Sequence, residues 1–254
     1  MNRVDYDQVA PTYDERYRHG GPPGIAASLQ RIVTGARRVL EVGCGTGHWL
    51  AEIAPRVGFV CGLDRSRGML ERAGASAAPV VQGDACALPV AASAFDAVIC
   101  VNALHHFTAP CDFVREARRV LRPGGTLVVI GMDPSAGLDR WYLYDYFPGT
   151  RETDLRRYPS AAAISTWMEE AGFEPPQRRI AARIEGEVEM RQVYDDPILS
   201  KNGTSQLTLL SDADFAAGMA RIGAAIAAAE TRQEGVRFAT DISLALLTAT
   251  TPKG

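Results

Sequence analysis

The sequence predicts a doubly wound α/β fold, in which a largely parallel sheet is covered by helices on both faces. In the first half of the chain, short apolar runs rich in β-branched residues alternate with amphipathic helical stretches. Runs that are apolar at nearly every position are typical of strands buried on both faces of a parallel sheet. Because each run is followed by a turn and a helix, we expect neighbouring strands to be joined in parallel.

The elements follow from these patterns in chain order. Before residue 131, the predicted strands are 38–42, 58–63, 79–81, 95–101 and 126–130. The helical stretches around them are 24–34, 47–56, 66–75 and 109–121. Beyond residue 131, the predictions are a helix at 160–171, a strand at 178–191, an Ala-rich helix at 212–233 and a final strand at 236–250. Gly172 follows the first of these and is a natural helix C-cap.

The composition indicates a single globular domain over residues 1–254. Hydrophobic residues make up 46% of the chain and charged residues 22%, which is near the globular average. The formal net charge of −3 provides no basic surface for nucleic acid. The arginine doublets are scattered, and we interpret them as solvated surface: they are 37–38, 118–119, 156–157 and 178–179.

The five cysteines favour a reduced, cytoplasmic protein. Their number is odd and no two form a C-x-x-C pair, so neither a zinc site nor a disulfide framework is expected. The N-terminus lacks the apolar segment of a signal peptide. No apolar run reaches the ~20 residues needed to cross a bilayer. The sequence therefore predicts a soluble cytoplasmic protein.

The strongest functional signal is a glycine-rich turn at the end of the first predicted strand. The strand ends at Glu41-Val42, the turn is Gly43-Cys44-Gly45-Thr46-Gly47, and a helix follows. Glycines let a bulky cofactor approach bare backbone, and they allow the positive φ angles of a tight turn. The free N–H groups at the start of the helix favour a carboxylate or another anion.

Two classes of cofactor use such a turn. The dinucleotide fingerprint G-x-G-x-x-G requires its third glycine where this chain has His48. The spacing therefore departs from the pattern of an NAD-dependent oxidoreductase, although that class stays an alternative. The other alternative is a turn that binds no ligand. Three glycines and an acid at the end of a strand make this alternative less favoured.

Two further acids follow the next strands. Asp64 ends the second strand, where a carboxylate can accept hydrogen bonds from both hydroxyls of a ribose. The alternative is that Asp64 caps the helix that begins near Ser66. Asp84 follows the third strand. Because the carboxyl ends of parallel strands share one edge of the sheet, we expect both acids and the glycine turn to form one crevice.

These segments resemble the class I, Rossmann-like methyltransferases that depend on S-adenosylmethionine (SAM). The resemblance is specific over about residues 36–132 and is strongest to the broad branch that includes the ubiquinone and menaquinone methyltransferases. The segments that carry it are 39–50, 83–85, 87–98, 102–107 and 121–127, with 6–14 resembling the N-terminal lid of that branch.

The resemblance implies a seven-stranded sheet whose last strand is antiparallel. It implies an N-terminal lid at 1–23, a SAM-binding core at 36–132 and substrate-side insertions at 134–158 and 191–235, the last a helical cap. It also implies SAM as the cofactor and S-adenosylhomocysteine (SAH) as its product. The residues expected to bind SAM are Glu41, Gly43, Cys44, Gly45, Gly47, Asp64, Arg65, Asp84, Ala85, Asn102, Tyr6 and Tyr13.

Three residues are candidates for a general base, His105, His106 and Tyr13. The ordinary pKa of histidine, near ~6.5, suits proton removal at neutral pH. His106 is preferred because it lies about one helical turn from Asn102 and could share its face. The alternative is that each histidine only packs against the next helix. Tyr6 and Tyr13 could likewise close over the cofactor or simply attach the N-terminal segment to the domain.

The insertion after the fifth strand contains a cluster of aromatic residues. It could form the wall of a substrate pocket or a satellite core; its members are Trp141, Tyr142, Tyr144, Tyr146 and Phe147. Asp133 is the one candidate for a metal ligand. Because Pro134 follows it, Asp133 is equally compatible with a turn, and no metal is expected.

The sequence therefore predicts a SAM-dependent methyltransferase. The methyl group would pass to an oxygen, nitrogen or carbon nucleophile of a small, aromatic or apolar acceptor. A SAM-binding protein that transfers no methyl group is the main alternative, because fold does not fix function. No nucleic-acid partner and no insertion into a membrane are expected.

Overall fold

The structure, a computed structural model, describes residues 4–17, 21–22, 24–74 and 78–253 of the chain. The strands in these residues are β1 (Arg38–Val42), β2 (Phe59–Asp64), β3 (Val80–Gln82), β4 (Phe95–Val101), β5 (Leu121–Met132), β6 (Arg140–Trp141), β7 (Gln177–Glu189) and β8 (Arg237–Thr250). The α-helices are α1 (Tyr6–Val9), α2 (Ile25–Val33), α3 (His48–Ile53), α4 (Arg67–Ala73), α5 (Pro110–Val120), α6 (Tyr142–Tyr146), α7 (Thr150–Arg157), α8 (Ala161–Glu170), α9 (Ser205–Thr208) and α10 (Asp212–Arg232).

The predicted doubly wound fold with an antiparallel last strand is confirmed. The strands follow the order β3-β2-β1-β4-β5-β8-β6, and β7 pairs with the other edge of β8. Strands β1 to β5 pair in parallel, whereas β8 runs antiparallel to β5, β6 and β7. The winding reverses between β1 and β4, and a crevice opens at the carboxyl ends of the strands at such a point.

Two details of the sheet differ from the prediction. The structure describes eight strands instead of seven, because the two residues of β6 pair with Asp241 and Thr240 of β8. Strand β5 begins at Leu121 rather than at residue 126, and Leu121 already pairs with Phe95. The stretch after Leu121 contains Arg, Pro and two glycines, so a search for apolar runs does not find it.

The helices are held by amphipathic faces and side-chain caps. Helix α5 buries Phe113, Val114, Ala117 and Val120 on one face, which is the spacing that places side chains on a single side of a helix. The Ser66 hydroxyl accepts a hydrogen bond from the Met69 N–H at the start of α4, as an N-cap does. Each helix thus covers one face of the sheet.

The core lies on both faces of the sheet, in two apolar clusters. The aromatic insertion belongs to the first cluster: Tyr142 and Phe147 are fully buried. The Phe147 ring stacks on Phe215 of α10 at 5.8 Å, and the Tyr142 ring meets Phe238 of β8 at 5.9 Å. Of the two interpretations of this cluster, the structure therefore shows the packed core.

The segment between the last two strands is helical, as predicted. It consists of 3-10 turns at Met190–Asp195 and Pro197–Leu199, followed by α9 and α10. The N-terminal lid at 1–23 is described only in part, because residues 1–3, 18–20 and 23 lie outside the described residues. Across the described ranges, no helix has both the length and the apolar character required to cross a bilayer.

Candidate functional site

A cavity of about 760 Å³ opens at the carboxyl ends of the parallel strands. Its volume is typical of a site for a small molecule. Most of the residues predicted from the sequence as cofactor-binding or catalytic line it: they are Tyr6, Tyr13, Gly43, Gly45, Asp64, Arg65, Asp84, Ala85, Asn102, His105 and His106. Residues that are distant in the sequence thus converge on one space.

The glycine turn forms one wall of the cavity. Its three glycines have φ angles of 75°, 53° and 82° at Gly43, Gly45 and Gly47, in the left-handed region that side chains rarely adopt. A Cβ atom on Gly43 would lie 2.3 Å from the Cβ of Ala103. The Gly43 and Cys44 N–H groups both donate to the Leu63 carbonyl, at 2.7 and 3.1 Å. The turn is therefore held in place by β2.

Asp64 joins the glycine turn to helix α4. Its Oδ2 accepts a hydrogen bond from the Gly45 N–H at 2.8 Å, and its Oδ1 accepts one from the Ser66 N–H at 2.9 Å. Burial raises the pKa of Asp64, and these backbone donors oppose that increase. The capping alternative is correct in part, since Asp64 supports Ser66, while Ser66 itself caps the helix. The carboxylate still lines the cavity.

Asp84 and Asn102 stand at the ends of the neighbouring strands. The Asp84 Oδ1 accepts a hydrogen bond from the Cys86 N–H at 2.8 Å, which fixes the carboxylate beside Ala85. Asn102 follows β4 with a φ of 50°. Asparagine tolerates this conformation better than most side chains do, and its strained placement at the end of a strand is typical of a functional position.

Three predicted cofactor residues lie beside the cavity rather than on it: Glu41, Cys44 and Gly47. The Glu41 carboxyl is 0% exposed behind the turn. Neither of its oxygens has a hydrogen bond within the part of the chain that the structure describes. Burial, with the Asp64 charge, raises the pKa of Glu41 well above its ordinary value. Glu41 therefore has no direct contact with a molecule in the cavity. The sequence could not show this, because it places Glu41 next to the glycine turn without giving the direction of the Glu41 side chain.

The N-terminal segment closes over the cavity. The Tyr6 hydroxyl lies 2.6 Å from the His106 Nε2. Asp7 accepts hydrogen bonds from the Ser66 hydroxyl at 2.5 Å and the Gly68 N–H at 2.9 Å. Asp14 accepts one from the Thr46 hydroxyl at 2.5 Å. The predicted lid thus contacts the first turn of α4, the glycine turn and the histidine pair.

His105 and His106 differ in their surroundings, although they are adjacent. The His105 ring stacks on Tyr158 at 3.8 Å and on the other side meets the His106 ring at 3.8 Å. Burial, with the neighbouring His106 and Arg157, lowers the pKa of His105 well below its ordinary value. His105 thus packs against two rings, and its lowered pKa favours the neutral imidazole. Its role as a general base stays a prediction. His106 is the histidine that contacts the lid.

The lowered pKa of His105 predicts a pH-dependent stability. The unfolded chain protonates this histidine below pH ~6.5, whereas the folded chain does not, so unfolding takes up a proton and stability falls as the pH falls. Between about pH 7.5 and about pH 5.5, this proton uptake should lower the free energy of unfolding by about 1 kcal/mol. We expect His105→Gln to remove this part of the pH dependence. Urea unfolding of both proteins at each pH measures it. An unchanged loss in the variant would contradict the assignment.

Arg157 and Tyr158 are cavity residues that the sequence did not indicate. The prediction that the 156–157 doublet is solvated surface is wrong for Arg157, whose side chain is 8% exposed and faces Asp154. The prediction fails because Asp154 and Arg157 are three residues apart and lie on the same, buried side of helix α7. The available signal of this pairing in the sequence was the acidic residue, Asp154, three positions before Arg157.

Asp133 has the role of a turn residue. Its Oδ1 accepts a hydrogen bond from the Ser135 hydroxyl at 2.5 Å, and its Oδ2 accepts one from the Ala161 N–H at 3.0 Å. The Arg178 guanidinium lies 3.3 Å from the same carboxylate. Among the described residues, no group of three or more His, Cys, Asp and Glu side chains is arranged to hold a metal ion.

Comparison with known proteins supports the predicted resemblance. The model of a methyltransferase domain matches residues 40–129, which begin in β1 and end in β5 and so contain the glycine turn, both acids and the histidine pair. Over these residues, the predicted resemblance to the class I, SAM-dependent methyltransferases is confirmed. The NAD-dependent oxidoreductase, which the glycine spacing had left as an alternative, is disfavoured by this match to a methyltransferase domain.

The names of the curated relatives of this chain refer to different kinds of molecule. A demethylmenaquinone methyltransferase of Deinococcus radiodurans is 37% identical over 120 residues, covering 44% of this chain and 49% of the relative. A tRNA U34 carboxymethyltransferase of Pseudoalteromonas translucida is 32% identical over 155 residues, covering 56% and 46%. The chain thus spans about half of the length of these relatives.

Solved structures share the fold over nearly the whole chain. A proposed methyltransferase from an antibiotic biosynthesis pathway of Anabaena variabilis has a TM-score of 0.67 and 21% identity, covering 90% of this chain and 97% of that one. The [4+2]-cyclase SpnF has a TM-score of 0.55 and 24% identity, covering 100% and 99%. The fold is therefore found both in proposed methyltransferases and in a cyclase.

The residues of the cavity fit the family's cofactor. At Gly45 the closest side-chain atom to an added Cβ is the Tyr13 Cε1 at 3.8 Å, so the turn presents bare backbone to the cavity. Asp64 provides carboxylate oxygens at the end of β2, which suit the hydroxyls of a ribose. Tyr6 and Tyr13 place aromatic rings over the same space, and such rings attract a sulfonium cation.

Proposed function

We propose that this protein transfers the sulfonium methyl group of SAM to an oxygen, nitrogen or carbon atom of a small, largely aromatic or apolar acceptor. One observation carries the proposal: the glycine turn, Asp64, Asp84 and the histidine pair all line one cavity. Aromatic residues line the remainder of the space, including Phe107, Tyr158 and Trp167. An acceptor of matching character could stack there.

The chain's own residues would hold the reactants and move one proton. SAM supplies an electrophilic methyl group, which an in-line nucleophile attacks. Asp64 would bind the ribose hydroxyls and Asp84 the adenine edge, while the lid excludes water. Positioning of two reactants can contribute up to ~7–11 kcal/mol toward lowering a barrier. A protonated nucleophile would also require a base.

Tyr6 and His106 form the pair best placed to act as that base. The Tyr6 hydroxyl lines the cavity and is 2.6 Å from the His106 Nε2. A proton leaving the acceptor would pass to the Tyr6 oxygen while the Tyr6 proton passes to the His106 Nε2. In this step a neutral His106 imidazole would become an imidazolium. Such assistance contributes about 10²- to 10⁴-fold to a rate.

Removing the Tyr6 hydroxyl tests this pair. We expect Tyr6→Phe to lower kcat by about tenfold to a hundredfold, because the relay to His106 is broken. The affinity for SAH should change by less than about threefold, because the ring remains in the lid. The matched variant is Tyr13→Phe, because the Tyr13 ring lies edge-on to the Tyr6 ring with 6.1 Å between the ring centres. If Tyr13→Phe lowers kcat and Tyr6→Phe does not, Tyr13 is the base.

A direct assay tests methyl transfer itself. Purified protein would be incubated with SAM labelled in its methyl group and a panel of phenols, quinols and amines, with mass spectrometry of the products. Labelled product together with SAH supports the proposal. Binding of SAH without transfer to any acceptor would favour the alternative, a SAM-binding protein with another chemistry, which the shared fold of a cyclase makes worth testing.

The cellular setting follows from the free thiols. All five cysteines are unpaired, which is typical of a reducing compartment, and we propose a cytoplasmic location on that ground. A small-molecule acceptor is proposed because the lid covers the cavity. A tRNA acceptor, by contrast, would bind largely through a basic surface, and a net charge of −3 argues against one.

A further inference from the structure

Arg157 lines the cavity with an incompletely bonded guanidinium. Its side chain is 8% exposed. The Nη2 group donates to the Ser205 hydroxyl at 2.9 Å and lies 3.4 Å from the Asp154 Oδ1. The Nε and Nη1 groups have no hydrogen-bond acceptor among the described residues. A guanidinium carries five N–H donors, and leaving buried donors unpaired is unfavourable.

Asp154 balances the charge of Arg157 without satisfying its donors. The Asp154 carboxylate is fully buried. Its Oδ2 accepts hydrogen bonds from the Tyr144 hydroxyl and the Gln206 Nε2, both at 2.8 Å. These two bonds orient the carboxylate, so that only the single long contact from Oδ1 reaches the guanidinium. The two-point pairing that arginine forms with a well-placed carboxylate is therefore absent here.

The position of Arg157 assigns it to the acceptor rather than to the cofactor. Its Cζ lies 5.5 Å from the ring centre of Tyr158, and Tyr158 stacks on His105. The glycine turn, Asp64 and Asp84 instead belong to the ends of β1, β2 and β3. Arg157 thus lines the histidine end of the cavity, beside aromatic rings, and carries two unpaired donors.

We propose that Arg157 binds an anionic group, a carboxylate, on the methyl acceptor. The acceptor is then an aromatic or apolar acid, with its ring against Tyr158 and its carboxylate on the guanidinium. This inference rests on the proposed function, since it names the acceptor of the same cavity. Among the described residues, the guanidinium is held at Nη2, whereas Nε and Nη1 are buried without a partner. A rotation of the Arg157 side chain would present these two groups to the anion.

Two small probes of equal shape test the anion site. The SAH-loaded protein would be titrated calorimetrically with benzoate and with benzamide, which differ in charge. We expect wild type to bind benzoate at least about tenfold more tightly, because a charge-assisted pair is stronger than a neutral one. Arg157→Gln should remove this preference. Arg156→Gln is the matched control: it removes the same charge from an exposed neighbour that also lines the cavity, and it should keep the preference.

A second variant guards against a folding defect. Arg157→Gln leaves the buried Asp154 without a counter-charge, so the pair Asp154→Asn/Arg157→Gln would be titrated as well, with circular dichroism as the check on folding. The inference is overturned if wild type does not prefer benzoate, or if Arg156→Gln abolishes the preference as fully as Arg157→Gln. It is also overturned if Arg157→Gln weakens SAH binding tenfold and spares the preference for benzoate, because Arg157 would then serve the cofactor.

Failure of the proposed function would give a different result. If SAH does not bind wild type, the cofactor assignment is wrong. The benzoate and benzamide titrations without SAH would then show whether the cavity still selects an anion through Arg157. Loss of the selection at Arg157 alone, with SAH binding intact, supports both the cofactor assignment and the anion site.

Discussion

Asp64→Asn is expected to weaken the binding of SAH by about a hundredfold, or ~3 kcal/mol. Asp64 uses one oxygen for the Gly45 N–H and the other for the Ser66 N–H. In asparagine one of these backbone donors would face an NH₂ group, which cannot accept a hydrogen bond. The variant also lacks the negative charge that would strengthen two hydrogen bonds from a ribose. Calorimetric titration with SAH measures the change.

A matched aspartate separates binding from structure in this experiment. Asp96 likewise accepts two backbone hydrogen bonds, from the Arg37 and Arg38 N–H groups at 2.9 and 2.8 Å. It stands at the start of β4, and it is not among the residues that line the cavity. We expect Asp96→Asn to lower stability without changing the affinity for SAH. Equal losses of affinity in both variants would show that Asp64 acts through the fold alone.

Gly43→Ala is expected to lower the free energy of unfolding by about 2–5 kcal/mol. The left-handed backbone at this glycine disfavours a side chain by about 1–2 kcal/mol. The new methyl group would overlap the Ala103 Cβ, 2.3 Å away, and such overpacking costs typically 1–3 kcal/mol more. For a chain of this size, the melting temperature should fall by roughly 10 °C. Thermal unfolding followed by circular dichroism measures it.

Two variants separate the contributions at Gly43. Gly137 has a similar φ of 68° but no atom within 4 Å of an added Cβ, so Gly137→Ala should show the backbone cost alone, about 1–2 kcal/mol. Ala103→Gly removes the opposing methyl group, and the double variant with Gly43→Ala should recover part of the lost stability. If Gly137→Ala is as destabilising as Gly43→Ala, the contact with Ala103 has no part in the effect.

The insertion and the lid show where sequence patterns stop being informative. The aromatic residues from Trp141 to Phe147 were equally compatible with a pocket wall and with a core. The sequence alone does not give the direction in which their rings point. The packing against Phe215 and Phe238 decided in favour of the core. The contact between Tyr6 and His106 spans 100 positions in the sequence, and no local pattern could have paired them.

The sequence by itself determined the fold class and the edge of the sheet that holds the site. Apolar runs separated by helices specify a parallel sheet, and parallel strands bring their carboxyl ends, with Gly43, Asp64 and Asp84, to one edge. Only the tertiary structure decided which side chains reach the cavity. It turned Glu41 into the interior, and it placed Arg157, from an apparently solvated doublet, in the wall of the cavity beside Tyr158. Periodicity reports which face of an element is apolar, whereas the direction of one polar side chain depends on partners that are far away in the chain.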